Sequence, residues 1–148
     1  MACKNFSDVK KGDFGGLIQS ENNLSQKGNC WAYKGTFLYD KSFVCDNAKI
    51  YASVIYDSAV ISGDAEISDG ARIYGRARVS GKAKVYGANT EVYGKACVFG
   101  NNTEVFDGAK VFGIAYVRES TIHDGAKVTC RVKNRNITKD SLGTYDVW

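Results

Sequence analysis

Aliphatic residues recur with a period near six residues from Leu38 to Val128, and a small residue lies two positions before most of them. An α-helix would instead place apolar residues about three and four positions apart. A repeat this short is typical of β-helices, in which each unit is a short strand followed by a bend. Four consecutive units show the pattern: Ala65-Glu-Ile67, Ala71-Arg-Ile73, Ala77-Arg-Val79 and Ala83-Lys-Val85.

The aliphatic position of each unit is predicted to point into the coil, and the small residue to lie at a corner that admits only a short side chain. Three units make one triangular coil, so residues about 18 positions apart stack on one another. Glycine or aspartate at the bends tolerates the backbone angles of turns. The predicted bend residues are Gly63, Asp69, Gly75, Gly81 and Gly87.

The inward positions predict about five coils of this solenoid. The steps ending at Val92 and Val105 are one residue longer than the others, and those ending at Ile55 and Ile122 are one residue shorter. We interpret these steps as adjustments at corners that leave the solenoid intact. The predicted inward residues are Leu38, Val44, Ile50, Ile55, Ile61, Ile67, Ile73, Val79, Val85, Val92, Val98, Val105, Val111, Val117, Ile122 and Val128.

A chain of 148 residues predicts a single domain. Its parts are an N-terminal cap over residues 1–31, a β-helix over 32–130, and a C-terminal cap or tail over 131–148. An open solenoid end exposes an unpaired strand edge, which a cap must cover. The apolar residues predicted to cover the first end are Phe6, Phe14, Leu17 and Trp31.

After Val128 the pattern stops, and the following segment is basic before it becomes apolar again. One interpretation is a cap on the same subunit, and the other is a tail that crosses to a neighbouring subunit. Its apolar anchors are Leu142, Tyr145, Val147 and Trp148.

Composition limits the classes of function. The net charge of +4 is mildly basic, and it predicts no binding to DNA or RNA. No apolar run approaches the roughly 20 residues of a membrane span, and the start of the chain has no apolar signal segment. Five widely spaced cysteines without a Cys-x-x-Cys pair predict small buried fillers, no zinc or other metal site, and a reducing cytoplasm.

The repeat resembles that of hexapeptide-repeat proteins, which form left-handed parallel β-helices. An aliphatic residue is followed four positions later by a small one, as in Val79-Ser-Gly-Lys-Ala83, and the likeness covers roughly residues 32–130. The segment Gly15-Gly-Leu-Ile-Gln-Ser-Glu-Asn-Asn-Leu-Ser-Gln-Lys-Gly-Asn-Cys-Trp31 is also similar to the lead-in of a group found in phages and gut bacteria. The resemblance implies a left-handed coil, a homotrimer, and a cytoplasmic protein of a bacterium or a phage-infected bacterium.

The sequence departs from that family directly after each inward residue, where it has Tyr, Ser or Phe instead of a small or acidic residue. Taking every third unit gives three outward columns. One is Tyr56, Tyr74, Tyr93, Phe112 and Thr129; another is Tyr51, Ser68, Tyr86, Phe106 and His123; the third is Ser62, Ser80, Phe99 and Arg118.

The first column is predicted to form an aromatic ladder, by which we mean Tyr56, Tyr74, Tyr93 and Phe112. So continuous an aromatic stripe indicates an interface or a ligand, and simple β-propensity is the alternative. The position before each inward residue adds cations to this face. Rings and cations together suit a phosphate-bearing base, so the predicted ligand-binding residues are Tyr56, Arg72, Tyr74, Tyr93, Lys110, Phe112 and Lys127.

Many hexapeptide-repeat proteins are acyltransferases with a histidine as general base, and this chain has one histidine, His123, followed by Asp124. Such enzymes commonly carry a loop between coils that covers the acyl donor. No step here exceeds seven residues, so that loop is missing. A surface role for His123 is the alternative.

Three hypotheses follow from these patterns. The first is a non-catalytic, homotrimeric binding protein without a cofactor, in which grooves between subunits hold a small anionic, nucleotide-like ligand. With the phage resemblance, this hypothesis extends to a protein that sequesters a nucleotide signal of the host. The second is an acyltransferase that uses His123, and the third is a structural trimer or scaffold. The first requires the cations of the ladder, the second requires His123, and the third requires neither.

Overall fold

Three parallel sheets form the walls of a β-solenoid in the computed structural model, which describes residues 8–141. Wall A contains β1 (Leu17–Ile18), β3 (Phe37–Leu38), β6 (Val54–Ile55), β9 (Arg72–Ile73), β12 (Glu91–Val92), β15 (Lys110–Val111) and β18 (Lys127–Val128). Wall B contains β4 (Phe43–Val44), β7 (Val60–Ile61), β10 (Arg78–Gly81), β13 (Cys97–Gly100), β16 (Tyr116–Arg118) and β19 (Arg131–Lys133). Wall C contains β2 (Trp31–Ala32), β5 (Lys49–Ile50), β8 (Glu66–Ser68), β11 (Lys84–Tyr86), β14 (Glu104–Val105), β17 (Thr121–Ile122) and β20 (Asn136–Ile137).

Consecutive strands belong to different walls, so each strand pairs with the strand one coil later. In wall A, for example, β6 pairs with β9 and β9 pairs with β12, both in parallel. This arrangement confirms the predicted all-β parallel β-helix. The larger walls have seven strands each, so the solenoid has about seven coils instead of the predicted five. The prediction left out β1, β2, β19 and β20, none of which shows the alanine-x-aliphatic unit of the central repeats.

The predicted inward ladder is confirmed, because every one of its residues is at most 2% exposed. The small residues of the corners are buried as well, and together these side chains form one continuous core along the solenoid axis. Burial of each aliphatic side chain contributes roughly 1.5–3 kcal/mol to folding. The core therefore holds the coils together, and any binding chemistry must lie on the outward positions.

Hydroxyl residues occupy the small position at the four corners that the sequence predicted to be longer or shorter than six residues. They are Thr90 and Thr103 in the longer steps and Ser53 and Ser120 in the shorter ones, and all are buried. Their hydroxyls bond to backbone groups that the altered corner would leave without a partner. Thr103 donates to the carbonyl oxygen of Phe99 at 2.6 Å, for instance. The interpretation of these steps as corner adjustments is thus confirmed.

The predicted bend residues all have a positive φ, from 58° at Asp69 to 94° at Gly87. Aspartate at such a bend also bonds to the next coil. The Asp57 carboxylate accepts a hydrogen bond of 2.9 Å from the backbone N–H of Gly75, one coil later. The bends therefore contribute contacts between coils in addition to reversing the chain direction.

The apolar cluster at the first end differs from the predicted one. Trp31 is buried, and it packs with Val9, Leu24 and Tyr33. Phe14 and Leu17, by contrast, are 81% and 67% exposed, so they do not cover the end. A short 3₁₀ helix, Glu21–Asn23, completes this region, and the buried Asn23 amide donates to the carbonyl oxygens of Asp40 and Ser42. Phe6 and the four predicted C-terminal anchors lie outside the described residues.

The cysteines only partly behave as predicted. Cys30 is buried in the core, but Cys45, Cys97 and Cys130 are half-buried. The four cysteines in the described part of the chain are free thiols, and Cys3 lies outside it. In residues 8–141, no helix has the length and hydropathy needed to cross a membrane.

Candidate ligand-binding surface

The aromatic ladder exists as a stack of parallel rings on the outside of wall A. Each ring follows an inward residue, and the inward residues of successive coils are in register, as Ile55 is with Ile73. The ring centroids of Tyr56 and Tyr74 lie 4.8 Å apart, as do those of Tyr74 and Tyr93, and those of Tyr93 and Phe112 are 5.1 Å apart. The ring planes are within 7° of parallel, and the ring separations match the distance of about 4.8 Å between neighbouring strands.

This stacking limits how a ligand can use the ladder. The faces of Tyr74 and Tyr93 are covered by their neighbours on both sides, so these rings present only their edges outward. A flat ligand could stack only at an end of the ladder. The sequence predicted the alignment of these residues, but it did not show that each ring would cover the face of the next.

The ladder breaks at its first end, between Tyr39 and Tyr56. Tyr39 occupies the same place one coil earlier, and its backbone N–H donates to the carbonyl oxygen of Ile55 at 3.0 Å. Its ring, however, stacks on Phe37, with centroids 6.1 Å apart and planes 14° from parallel. The described residues provide no ring on that side of Tyr56, so one face of this ring is free of aromatic contact.

A groove of about 440 Å³ lies at this break, and we call it the ladder-end groove. The Gln19 side-chain oxygen accepts a hydrogen bond of 2.7 Å from the backbone N–H of Asp40, which fixes one rim. The prediction missed part of this lining, although Leu38-Tyr39 follows the same pattern as Ile55-Tyr56 and could have indicated it. The lining residues are Gln19, Tyr39, Asp40, Val54, Tyr56 and Arg72.

The predicted cations lie on wall A in the predicted order, but they do not share one pocket. Arg72, Glu91, Lys110 and Lys127 occupy equivalent positions in successive strands. Lys110 forms an ion pair of 3.0 Å with Glu91, so its charge is already partly neutralised. Arg72 lines the ladder-end groove and makes no ion pair among residues 8–141, whereas Lys127 lies at the opposite end of the ladder. Of the seven predicted residues, the groove therefore brings together only Tyr56 and Arg72.

The pKa values of two tyrosines of the ladder, Tyr56 and Tyr74, are raised. Burial raises the pKa of Tyr74 to about 12, and the nearby Glu91 carboxylate acts in the same direction. Burial also raises the pKa of Tyr56, with a further contribution from Asp57, although Arg72 opposes the shift. The Tyr74 hydroxyl donates its proton to the Glu91 carboxylate over 3.5 Å.

The raised pKa of Tyr74 predicts a loss of stability at alkaline pH. The folded protein retains the phenolic proton between pH 10 and about 12, whereas the unfolded chain releases it. The stabilisation is thus complete below pH 10 and declines as the pH rises through this range. Denaturant unfolding across alkaline pH should show a less steep decline for Tyr74→Phe than for the unmodified protein. An equally steep decline in both proteins would contradict this assignment.

His123 lies on wall C at the end of a second stack of rings. Its ring is parallel to Phe106 at 5.2 Å, and Phe106 stacks in turn on Tyr86. Nδ1 lies 3.0 Å from the Asp124 carboxylate and Nε2 lies 2.7 Å from the side-chain oxygen of Asn136. Both ring nitrogens therefore have partners within the chain, and a substrate proton would have to displace one of them. The predicted pairing of His123 with Asp124 is present, but the geometry does not leave a free general base.

Charges of opposite sign alternate along the outside of wall C. Lys49, Glu66, Lys84 and Glu104 are aligned by strand pairing. Within this column, Lys84 and Glu66 form an ion pair of 3.9 Å, with both side chains about half exposed. Exposed pairs of this kind contribute little to stability, roughly 0–1 kcal/mol.

Residues 8–141 contain no cluster of three or more His, Cys, Asp or Glu side chains placed to hold a metal ion. Comparison of the chain with known protein families and with curated proteins gives no match in either case.

Proposed function

We propose that this protein is a non-catalytic binding protein that holds a small anionic ligand with a flat ring in the ladder-end groove. The observation that carries the proposal is the break in the ring stack, which leaves one face of Tyr56 free beside an unpaired Arg72. A ring bound on Tyr56 would extend the ladder by one member. Arg72 would bind the anionic group, since a guanidinium can donate two parallel hydrogen bonds to a phosphate or carboxylate.

The resemblance to hexapeptide-repeat proteins supports a homotrimer, with the ladder-end groove facing a neighbouring subunit. The lead-in resembles that of a group from phages and gut bacteria, which supports a cytoplasmic phage or bacterial protein. A nucleotide combines a flat base with phosphate, so it is the ligand class that fits Tyr56 and Arg72 together. Within this proposal, the protein sequesters a nucleotide signal by which the host responds to infection.

Native mass spectrometry of the protein purified from a bacterial host tests this proposal first. The expected result is a trimer that retains a mass of nucleotide size. Calorimetry against a panel of mono-, di- and cyclic nucleotides then identifies the ligand. A monomer would overturn the trimer, and the absence of heat for every nucleotide would overturn the ligand class and favour a structural role.

Substitutions in the groove are expected to weaken nucleotide binding selectively. Tyr56→Ala removes a stacking surface and should weaken binding by about 10-fold or more. Arg72→Gln removes the cation and should do the same. Lys127→Gln is the matched control, because it removes one exposed positive charge from wall A at the other end of the ladder. Equal losses in Arg72→Gln and Lys127→Gln would show that binding depends on overall charge and not on this groove. The acyltransferase alternative would instead show acyl-CoA turnover that His123→Ala abolishes.

A further inference from the structure

A second open groove, of about 370 Å³, lies on wall B and is separate from the ladder-end groove. Three of its six lining residues are cations and none is acidic. We call it the basic groove, and its lining residues are Ser58, Val60, Arg76, Arg78, Lys95 and Cys97.

The solenoid places these side chains on a regular grid. Val60, Arg78 and Cys97 are aligned by the pairing of β7, β10 and β13. Ser58, Arg76 and Lys95, at the corners before these strands, are aligned in the same way. The backbone N–H of Ser58 donates to the carbonyl oxygen of Gly75 at 2.8 Å, and that of Arg76 donates to the carbonyl oxygen of Gly94 at 2.6 Å.

An inward alanine lies between the two columns of the grid, so the flanking residues share the outward side. Ala77, between Arg76 and Arg78, is fully buried. Neighbouring coils are about 4.8 Å apart, and alternate residues of an extended chain are about 6–7 Å apart. The backbone therefore places the Cα atoms of Arg76, Arg78 and Lys95 within about 8 Å of one another.

The cations of the basic groove are not neutralised by the protein. None of the three takes part in an ion pair within residues 8–141. On wall A, by contrast, Lys110 is paired with Glu91, and the ladder-end groove contains Asp40 as well as Arg72. Three like charges this close repel one another, and a bound anion would relieve the repulsion.

We propose that the basic groove binds a chain of two or more linked phosphate groups. Two guanidinium groups can each donate paired hydrogen bonds to phosphate oxygens, while Lys95 supplies a third charge. Three positive charges exceed the charge of about −2 that one phosphate carries near neutral pH, whereas linked phosphates carry more negative charge. The volume of about 370 Å³ lies within the range of small-ligand sites. This inference does not rest on the proposed nucleotide site, since the two grooves share no lining residue.

Calorimetric titration of the full-length protein with inorganic tripolyphosphate, at constant ionic strength, tests the proposal. Tripolyphosphate should bind at least about 10-fold more tightly than orthophosphate, because it can contact all three cations at once. Equal affinity for both anions, or no heat with tripolyphosphate, would overturn the proposal. Adenosine triphosphate distinguishes two sources of the same chemistry when it is titrated into Arg72→Gln, in which the ladder-end groove lacks its cation. Affinity equal to that of tripolyphosphate assigns the basic groove to a phosphate chain alone, and higher affinity assigns it to a nucleoside polyphosphate.

Variants locate the binding on wall B. Arg78→Gln and Lys95→Gln should each weaken tripolyphosphate binding by about 10-fold or more. Lys82→Gln is the matched control, since Lys82 is an exposed cation of the same coil that does not line the groove. Equal weakening by Lys82→Gln and Arg78→Gln would overturn the site in favour of general charge attraction. Arg78→Gln should weaken tripolyphosphate binding by the same factor in an Arg72→Gln background, which separates this test from that of the ladder-end groove.

The thiol of Cys97 provides a second measurement of occupancy. Cys97 is half-buried in the lining of the groove, and it is the register partner of Arg78 in the neighbouring strand. Bound tripolyphosphate should slow its alkylation several-fold, with the alkylation of Cys130 as an internal reference. Equal rates at Cys97 with and without tripolyphosphate, under conditions where calorimetry shows saturation, would place the anion elsewhere and overturn the assignment.

Discussion

Replacing Ile73 with alanine is expected to lower the free energy of unfolding by about 2–5 kcal/mol. Ile73 is fully buried in β9, and it stacks between Ile55 and Val92 of the neighbouring coils. Strand pairing on both sides fixes the backbone at this position, so the coil cannot collapse into the space that the lost side-chain atoms leave. The cost should therefore include both the lost burial and the remaining cavity. Urea unfolding followed by far-ultraviolet circular dichroism, at a fixed protein concentration, measures it.

Arg72→Ala is the control for this prediction, because Arg72 is the exposed neighbour of Ile73 in the same strand. A surface substitution of this kind should change stability by no more than about 0.5 kcal/mol. If the two variants lost the same stability, the loss could not be attributed to the inward ladder. A small loss in both would mean that strand pairing, and not the aliphatic core, holds the coils together.

The central coils could be predicted from the sequence because one short repeat specifies both the strand and its bend. An alanine, an inward aliphatic residue and a positive-φ residue recur in most of the central units, as in Ala71, Ile73 and Gly75. The outer coils lack that combination. β20 places Ile137 inward but has Arg135 where the central units have alanine. Its place in wall C depends on pairing with β17, and a pattern confined to single units does not reveal such pairing.

The alignment of the candidate site could be predicted from the sequence, but its side-chain conformations could not. Tyr39 and Tyr56 have the same position in successive units, yet the ring of Tyr39 stacks on Phe37 and leaves the ladder. The choice depends on the local packing around each ring and not on the repeat. The ion pair between Glu91 and Lys110 likewise removes a cation that the column alone had suggested was available.

The basic groove escaped prediction for a different reason. Arg76 lies in a bend and Arg78 in the following strand, so the two belong to different columns when outward positions are sorted around each inward residue. The third cation, Lys95, comes from the next coil. A search for outward residues on both sides of each inward alanine would have brought all three together. In a solenoid, a site can thus combine residues from two outward columns, and sorting residues by single columns misses part of its lining.

Replacing Gly94 with alanine is expected to destabilise the protein by about 1–3 kcal/mol more than the same change at Gly113. The two glycines occupy the same corner in successive coils and have nearly equal φ angles of 72° and 68°. A Cβ atom in this left-handed region costs about 1–2 kcal/mol at either position. At Gly94 it would also lie 3.0 Å from the backbone nitrogen and oxygen of Gly113, whereas at Gly113 it would meet nothing closer than 4.0 Å.

The comparison of Gly94→Ala with Gly113→Ala therefore isolates the contact between coils from the cost of the backbone angle. Gly94→Asp adds a third measurement. Asp57 occupies the same corner two coils earlier, and its carboxylate accepts a hydrogen bond from the backbone N–H of Gly75. An aspartate at position 94 can accept one from Gly113 in the same way, so Gly94→Asp should be less destabilising than Gly94→Ala. Urea unfolding of the three variants tests this order. Equal losses at Gly94 and Gly113 would mean that only the positive φ selects glycine at this corner, and that close approach of the coils does not.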